Sequence, residues 1–209
     1  MSDRATGNSE AEALLTFWFG ELSGGFADEA HRKRWFAGGE SFDQECRRRF
    51  SDLAARAADG EFPGWIDEPR SCLAFILLCD QIPRNIHRGT PLAFASDAAA
   101  LNAARTGIEA GLDRQLAFDE RCFFYLPFEH SESLIDQHTC IGLFTELHDE
   151  TPPEHRHRTG SSLQYALQHR DIIRRFGRFP HRNAILGRTS SPEELAFLAD
   201  GNDFGQTSR

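Results

Sequence analysis

Valine is absent from this chain, and its 209 residues include one methionine and two tyrosines. Without valine, and without any sustained period-two alternation, the ordinary material of β-strands is missing. Long apolar runs are missing too. The longest, Cys72–Cys79, is far shorter than the roughly 20 residues needed to cross a bilayer. The opening stretch, Met1 to Glu10, is polar and lacks the apolar run of a secretory signal. There is no Gly-rich phosphate loop, no Gly-x-Ser-x-Gly elbow and no dinucleotide fingerprint, so no cofactor is expected. The five cysteines, Cys46, Cys72, Cys79, Cys122 and Cys140, are odd in number and include no Cys-x-x-Cys pair. A disulfide framework and a zinc site are therefore not expected. These cysteines read as small core residues in a reducing compartment, which points to the cytoplasm.

What the chain does have is ordinary globular composition, 40% hydrophobic and 26% charged, in a length that suits a single domain. That domain is expected over 1–209, with its core at about 9–204 and a frayed tail after Asn202. Eighteen phenylalanines point to a core built on Phe. The net charge of −9 repels phosphate backbones and gives no polybasic membrane patch, so neither nucleic acid nor membrane is an expected partner. Against this acidic background, Arg170, Arg174, Arg175, Arg178, Arg182 and Arg188 share a short stretch with a single acid, Asp171. Such a stretch suits a small anion or a carboxylate partner. Equally, these arginines can pair with the acidic remainder of the chain.

Helical periods and boundaries recur along the sequence. Ser9 with Glu12 forms a capping box for a first helix that stops at Gly20. A second helix is expected over Asp28–Phe36, and a third from Ser41 to Gly60. Ser71 to Ile82 is apolar on every side over Cys72–Cys79, which predicts a central buried helix that Pro83 ends or kinks. Further helices are expected over Asp97–Ala110, over Asp119–Leu126 until Pro127 halts it, over Ser131–Leu147, over Ser162–Phe176, and from the capping box at Ser191-Pro192 with Glu194. Thr151–Ser161 reads as a polar loop, with His155–Arg158 solvated. The fold class is all-α, with eight or nine helices joined by short connections.

The informative residues are polar ones on faces that should be apolar. In the Ser162–Phe176 helix the apolar arc is Leu163, Ala166, Leu167, Ile173 and Phe176, with Arg170 near its middle and His169 at its edge. A buried guanidinium needs a carboxylate or carbonyl partner. In the Ser131–Leu147 helix the stripe of Cys140, Phe144 and Leu147 turns acidic toward Asp136 and Glu129. Asp80 directly follows the buried apolar run, one turn before Arg84. These acids, a buried arginine and His130 or His169 suit a pocket that binds an anion or moves protons. The plainer alternatives are an i,i+4 pair between Asp80 and Arg84, and Glu129 as an acid complementing a helix N-terminus. Glu129, His130 and Glu132 lack the spacing of helical metal sites, so no metal is expected. Residues 177–183, Gly-Arg-Phe-Pro-His-Arg-Asn, form either an anion clamp or a rigid connector.

Six segments carry a family resemblance: 15–20 (Leu-Thr-Phe-Trp-Phe-Gly), Trp35-Phe36 with Phe42-Asp43, 80–86 (Asp-Gln-Ile-Pro-Arg-Asn-Ile), 88–97, 127–132 (Pro-Phe-Glu-His-Ser-Glu) and 169–183. Through them the chain resembles bacterial domain-of-unknown-function family nine-two-four over residues 11–204. The resemblance implies a fold similar to tetratricopeptide-repeat proteins, with antiparallel helix pairs in a compact right-handed superhelix. It implies no activity. Its motifs contain the same polar residues, so the candidate ligand-binding set is Asp80, Arg84, Asn85, Glu129, His130, Asp136, His169, Arg170, Arg178, His181 and Arg182. The expected function is binding of a small anionic metabolite or a peptide end. An acid–base enzyme and a protein-interaction scaffold are the alternatives.

Overall fold

A computed structural model describes residues 2–201, with backbone only for 2–8, Phe36 and Ala37. The expected fraying after Asn202 lies outside the described residues. The helices are α1 (Ser2–Phe19), α2 (Glu29–Ala37), α3 (Gly39–Ala58), α4 (Pro69–Ile76), α5 (Ile82–Ile86), α6 (Asp97–Glu109), α7 (Phe118–Glu129), α8 (Leu134–Glu150), α9 (Arg156–Phe176) and α10 (Pro192–Ala199). A π turn, Leu77–Gln81, joins α4 and α5 into one rod, which leaves nine helices among the described residues. These residues contain no strand, only an isolated bridge between Ser23 and Phe26. The all-α class holds, and no described helix is long and apolar enough to cross a membrane.

The α4–α5 rod is central, as its apolar sequence demands. Every side chain from Cys72 to Cys79 is buried. It packs against α1, α3, α6 and α7, while α8 and α9 lie along each other. Phenylalanines fill the space between these helices. The Phe123 ring stands edge-on to Trp18, Phe19 and Trp35, and Phe17 stacks on Phe42.

Several boundaries differ from expectation. The first helix begins at Ser2, upstream of Ser9. Those first turns hold two strong helix formers, Arg4 and Ala5, among weaker ones, with Gly7 costing about 1 kcal/mol. α3 starts at Gly39, two residues before Ser41. Pro83 does not end the central helix. It removes the N–H that would bond to the carbonyl of Cys79, and the hydroxyl of Ser96 donates to that carbonyl instead, at 2.6 Å. The π turn directly upstream absorbs the extra residue, and its Leu77 carbonyl accepts from the N–H of Ile82. Pro127 does not halt α7, which continues to Glu129. The segment read as a solvated loop holds a short 3₁₀ turn, Pro153–His155, and then the first turns of α9. Pro153 opens the 3₁₀ turn, where a missing N–H is tolerated, and α9 follows from Arg156. α8 starts at Leu134 with Ser133 as its cap residue, three residues later than expected.

Candidate functional site

The site forms where three chain segments meet: the π turn into α5, the C-terminal end of α7, and the turn after α9. The π turn holds Asp80 with no solvent exposure. Its carboxylate accepts from Nδ1 of His130 at 2.7 Å, from Gln81 at 2.6 Å, and lies 3.1 Å from Arg84. Burial pushes this carboxyl up. The Arg84 guanidinium and His130 more than offset that and hold it below the ordinary carboxylate range. Arg84 also donates to both oxygens of Asp97, at 2.9 and 3.0 Å, so Asp80–Arg84–Asp97 runs from the buried π turn to the partly exposed start of α6.

His130 is the cap residue of α7. Because Asp80 is ionised, the proton of the His130 ring sits on Nδ1, and Nε2 carries the lone pair. Burial and the Arg84 charge keep this imidazole below its ordinary pKa, against the pull of Asp80.

Glu129 is the last residue of α7, so the reading as an acid at a helix N-terminus is corrected: it lies at the end that disfavours negative charge. Burial and the nearby Asp80 push its carboxyl up to about 8. Gln137 of α8 fixes this end of α7 by donating to the carbonyls of Glu129, at 2.6 Å, and Ser131, at 2.8 Å. The Nδ1 of His169 lies 3.4 Å from the Glu129 carboxyl, but its proton goes to the carbonyl of Tyr165 at 2.9 Å. Burial lowers His169 to about 4. Near neutral pH this approach is therefore a contact between two uncharged groups, not an ion pair.

The turn after α9 begins at Gly177, whose φ of 69° is the left-handed conformation that glycine tolerates best. It delivers Phe179, His181 and Arg182 inward. The Arg182 guanidinium lies between the rings of Phe94 and Phe179, 4.8 and 4.6 Å from their centroids. Its nearest carboxylate, Asp97, is 3.5 Å away and already holds Arg84, and its Nε has no hydrogen-bond partner. Burial and the Arg84 charge lower Arg182 to about 10, still cationic at neutral pH. Burial and Arg182 lower His181 to about 3. Glu132 anchors the turn, accepting from the N–H of Phe179 and, with both oxygens, from Arg188, each at 2.9 Å. A cleft of about 230 Å³ opens over this cluster, lined by Asp97, Leu101, Pro127, His130, Ser131, Glu132 and Arg182, among others.

The structure thus brings together Asp80, Arg84, Glu129, His130, His169, His181 and Arg182 of the expected set. It places the others elsewhere. Arg170 is not at the centre of the buried arc of α9. That arc centres on Ala166, His169, Ile172 and Ile173, and Arg170 reaches out to Asp171 at 2.8 Å. Arg178 forms a bidentate pair with Glu194. Asp136 binds Arg105 and Ser131, both at 2.7 Å. Asn85 donates to the carbonyl of Gln81 within its own helix. The arginine-rich stretch largely resolves into such pairs, with Arg175 on Glu193 and Arg188 on Glu132. Sequence reasoning missed Asp97, Phe94 and Glu132 as members. All three lie inside the motifs at 88–97 and 127–132, which is the signal that would have found them.

Among the described residues, no three His, Cys, Asp or Glu side chains converge to hold a metal ion. A family model described as "Bacterial protein of unknown function (DUF924)" matches residues 14–202. A solved structure, described as that of a protein of unknown function, ATU0120, from Agrobacterium tumefaciens, is 37% identical. The alignment covers 93% of this chain and 99% of that one, with a TM-score of 0.79. No curated protein matches.

Proposed function

The chain belongs to the bacterial family of unknown function DUF924, and on that footing we propose that it binds a small carboxylate-bearing ligand in the cleft over His130 and Arg182. One observation carries this reading. Arg182 is a buried guanidinium, fixed between two phenyl rings, and among the described residues its one carboxylate partner, Asp97 at 3.5 Å, is shared with Arg84. An arginine held this rigidly in the lining of a cleft, with one carboxylate shared between two guanidinium groups, suits capture of a further carboxylate. A cleft of about 230 Å³ suits a small metabolite or a peptide end rather than a protein surface. The reading sets the protein in a reducing cytoplasm, in keeping with five free cysteines. It also takes the antiparallel α8–α9 pair as one unit of a right-handed, tetratricopeptide-like superhelix.

The test is a thermal and calorimetric titration with succinate, acetate and short peptides, on the wild type and on Arg182→Gln. Ligand at about 100 times its Kd stabilises the native state by about 2.7 kcal/mol. Succinate binding that disappears in a folded Arg182→Gln supports the reading. Binding that persists unchanged in that variant, or no binding to the wild type, sinks it.

A further inference from the structure

The hydrogen bond between Asp80 and His130 does more than hold the helix ends together. Asp80 lies entirely beneath the surface, while the His130 ring lines the cleft. The 2.7 Å bond fixes the ring through Nδ1 and leaves Nε2 without a hydrogen bond among the described residues. A carboxylate behind one nitrogen of an imidazole that lines a cleft is the arrangement of an oriented general base. The fixed Arg182 stands in the same cleft, ready to hold a carboxylate while the base acts on another part of the molecule.

We propose that His130, positioned by Asp80, is the general base of a hydrolase acting on esters of small dicarboxylic acids, with Arg182 holding the free carboxylate. This inference rests on the ligand site proposed above. The step balances without any added redox partner. Nε2 takes a proton from a water molecule as its oxygen adds to the ester carbonyl carbon. The tetrahedral adduct then collapses, the carbon–oxygen bond to the alcohol breaks, and His130 returns the proton to the departing alkoxide. The products are the diacid and the alcohol.

The charged and titratable groups around the ring agree with a base that is neutral at working pH. Asp80 and Arg84 face it from the π turn and α5, Asp97 from α6, and Arg182 and His181 from the turn after α9. His169 and Glu129 lie behind it, and Glu132 follows it in the chain. The two arginines and burial outweigh Asp80 and keep the imidazole unprotonated.

The experiment follows methanol release from monomethyl succinate by proton NMR, with dimethyl succinate as the uncharged control and succinate binding measured in parallel. The wild type should hydrolyse the monoester in preference to the diester. Its rate should fall in acid with a midpoint below the ordinary histidine value. His130→Gln should lose about 10²-fold or more of kcat while still binding succinate. Arg182→Gln should mainly raise KM. A folded Asp80→Asn should move the midpoint lower still, because the charge that favours protonated His130 is gone. A merely structural role for Asp80 would depress the rate without moving the midpoint. Succinate binding with no methanol release by the wild type overturns the hydrolase and leaves the binding reading intact. Absence of both overturns both. Turnover unchanged in His130→Gln overturns the assignment of the base, and needs no folding of the Asp80 variant to be decisive.

Discussion

The hydroxyl of Ser96 donates to the carbonyl of Cys79, the residue four positions before Pro83. A proline inside a helix orphans one carbonyl, and here a residue from the start of α6 satisfies it. The bond also ties Asp97, one residue further on, to the rod that carries Asp80 and Arg84. Ser96→Ala leaves a buried carbonyl without a donor. It should destabilise the protein by about 1–3 kcal/mol in chemical denaturation. A change under 0.5 kcal/mol would show that water replaces the hydroxyl.

Gln137 has no solvent exposure and spans the gap between α7 and α8. Gln137→Leu keeps a similar volume but strips donors from the carbonyls at the end of α7. We expect a loss of about 1–3 kcal/mol, together with weaker ligand binding, because Glu129 and His130 sit on the freed end. Urea denaturation and succinate titration on the same variant check the two effects.

Stability should depend on pH through two opposing groups. Glu129 has a folded-state pKa of about 8 against an ordinary 4.5, so the folded chain keeps a proton that the unfolded chain has lost. Its contribution is complete below pH 4.5 and is lost as pH rises through about 8. His169 works the other way, with a folded value of about 4 against 6.5. The unfolded chain takes up that proton first, so stability falls as pH drops from 6.5 toward 4. Glu129→Gln should therefore gain on the wild type between pH 4.5 and 8, and His169→Gln should flatten the acid limb. Parallel curves for wild type and Glu129→Gln across that range would refute the Glu129 assignment.

Two arginines of one short stretch should behave differently. Arg170 is half-buried on α9 and its guanidinium pairs with the exposed neighbour Asp171, so Arg170→Gln should cost about 1 kcal/mol and leave ligand binding intact. Arg182→Gln should abolish binding. Equal binding losses in the two variants would mean that the cleft is not where the ligand sits.

The helices were legible because their causes are local. Apolar spacing, the Ser191 capping box and the stop at Gly177 need no distant partner to act. Of the two readings at Pro83, an end or a kink, the first fails because Ser96, thirteen residues on, satisfies the freed carbonyl, and the stop expected at Pro127 comes two residues later, at Glu129. Of the candidate site, Asp80, Glu129, His130 and His169 stood out as polar residues against apolar patterns. Arg170 stood out on the same grounds and does not belong, since a helical wheel cannot say which neighbouring helix it faces.

By itself, then, the sequence determined an all-helical chain with a buried central rod, a phenylalanine core and a set of polar residues out of place. Only the tertiary structure decided which of those residues meet. Ion pairs form between elements far apart in the chain, and a guanidinium takes whichever carboxylate the packing brings near. Arg178 found Glu194, Arg188 found Glu132, and Arg182 was left between two phenyl rings at the floor of a cleft.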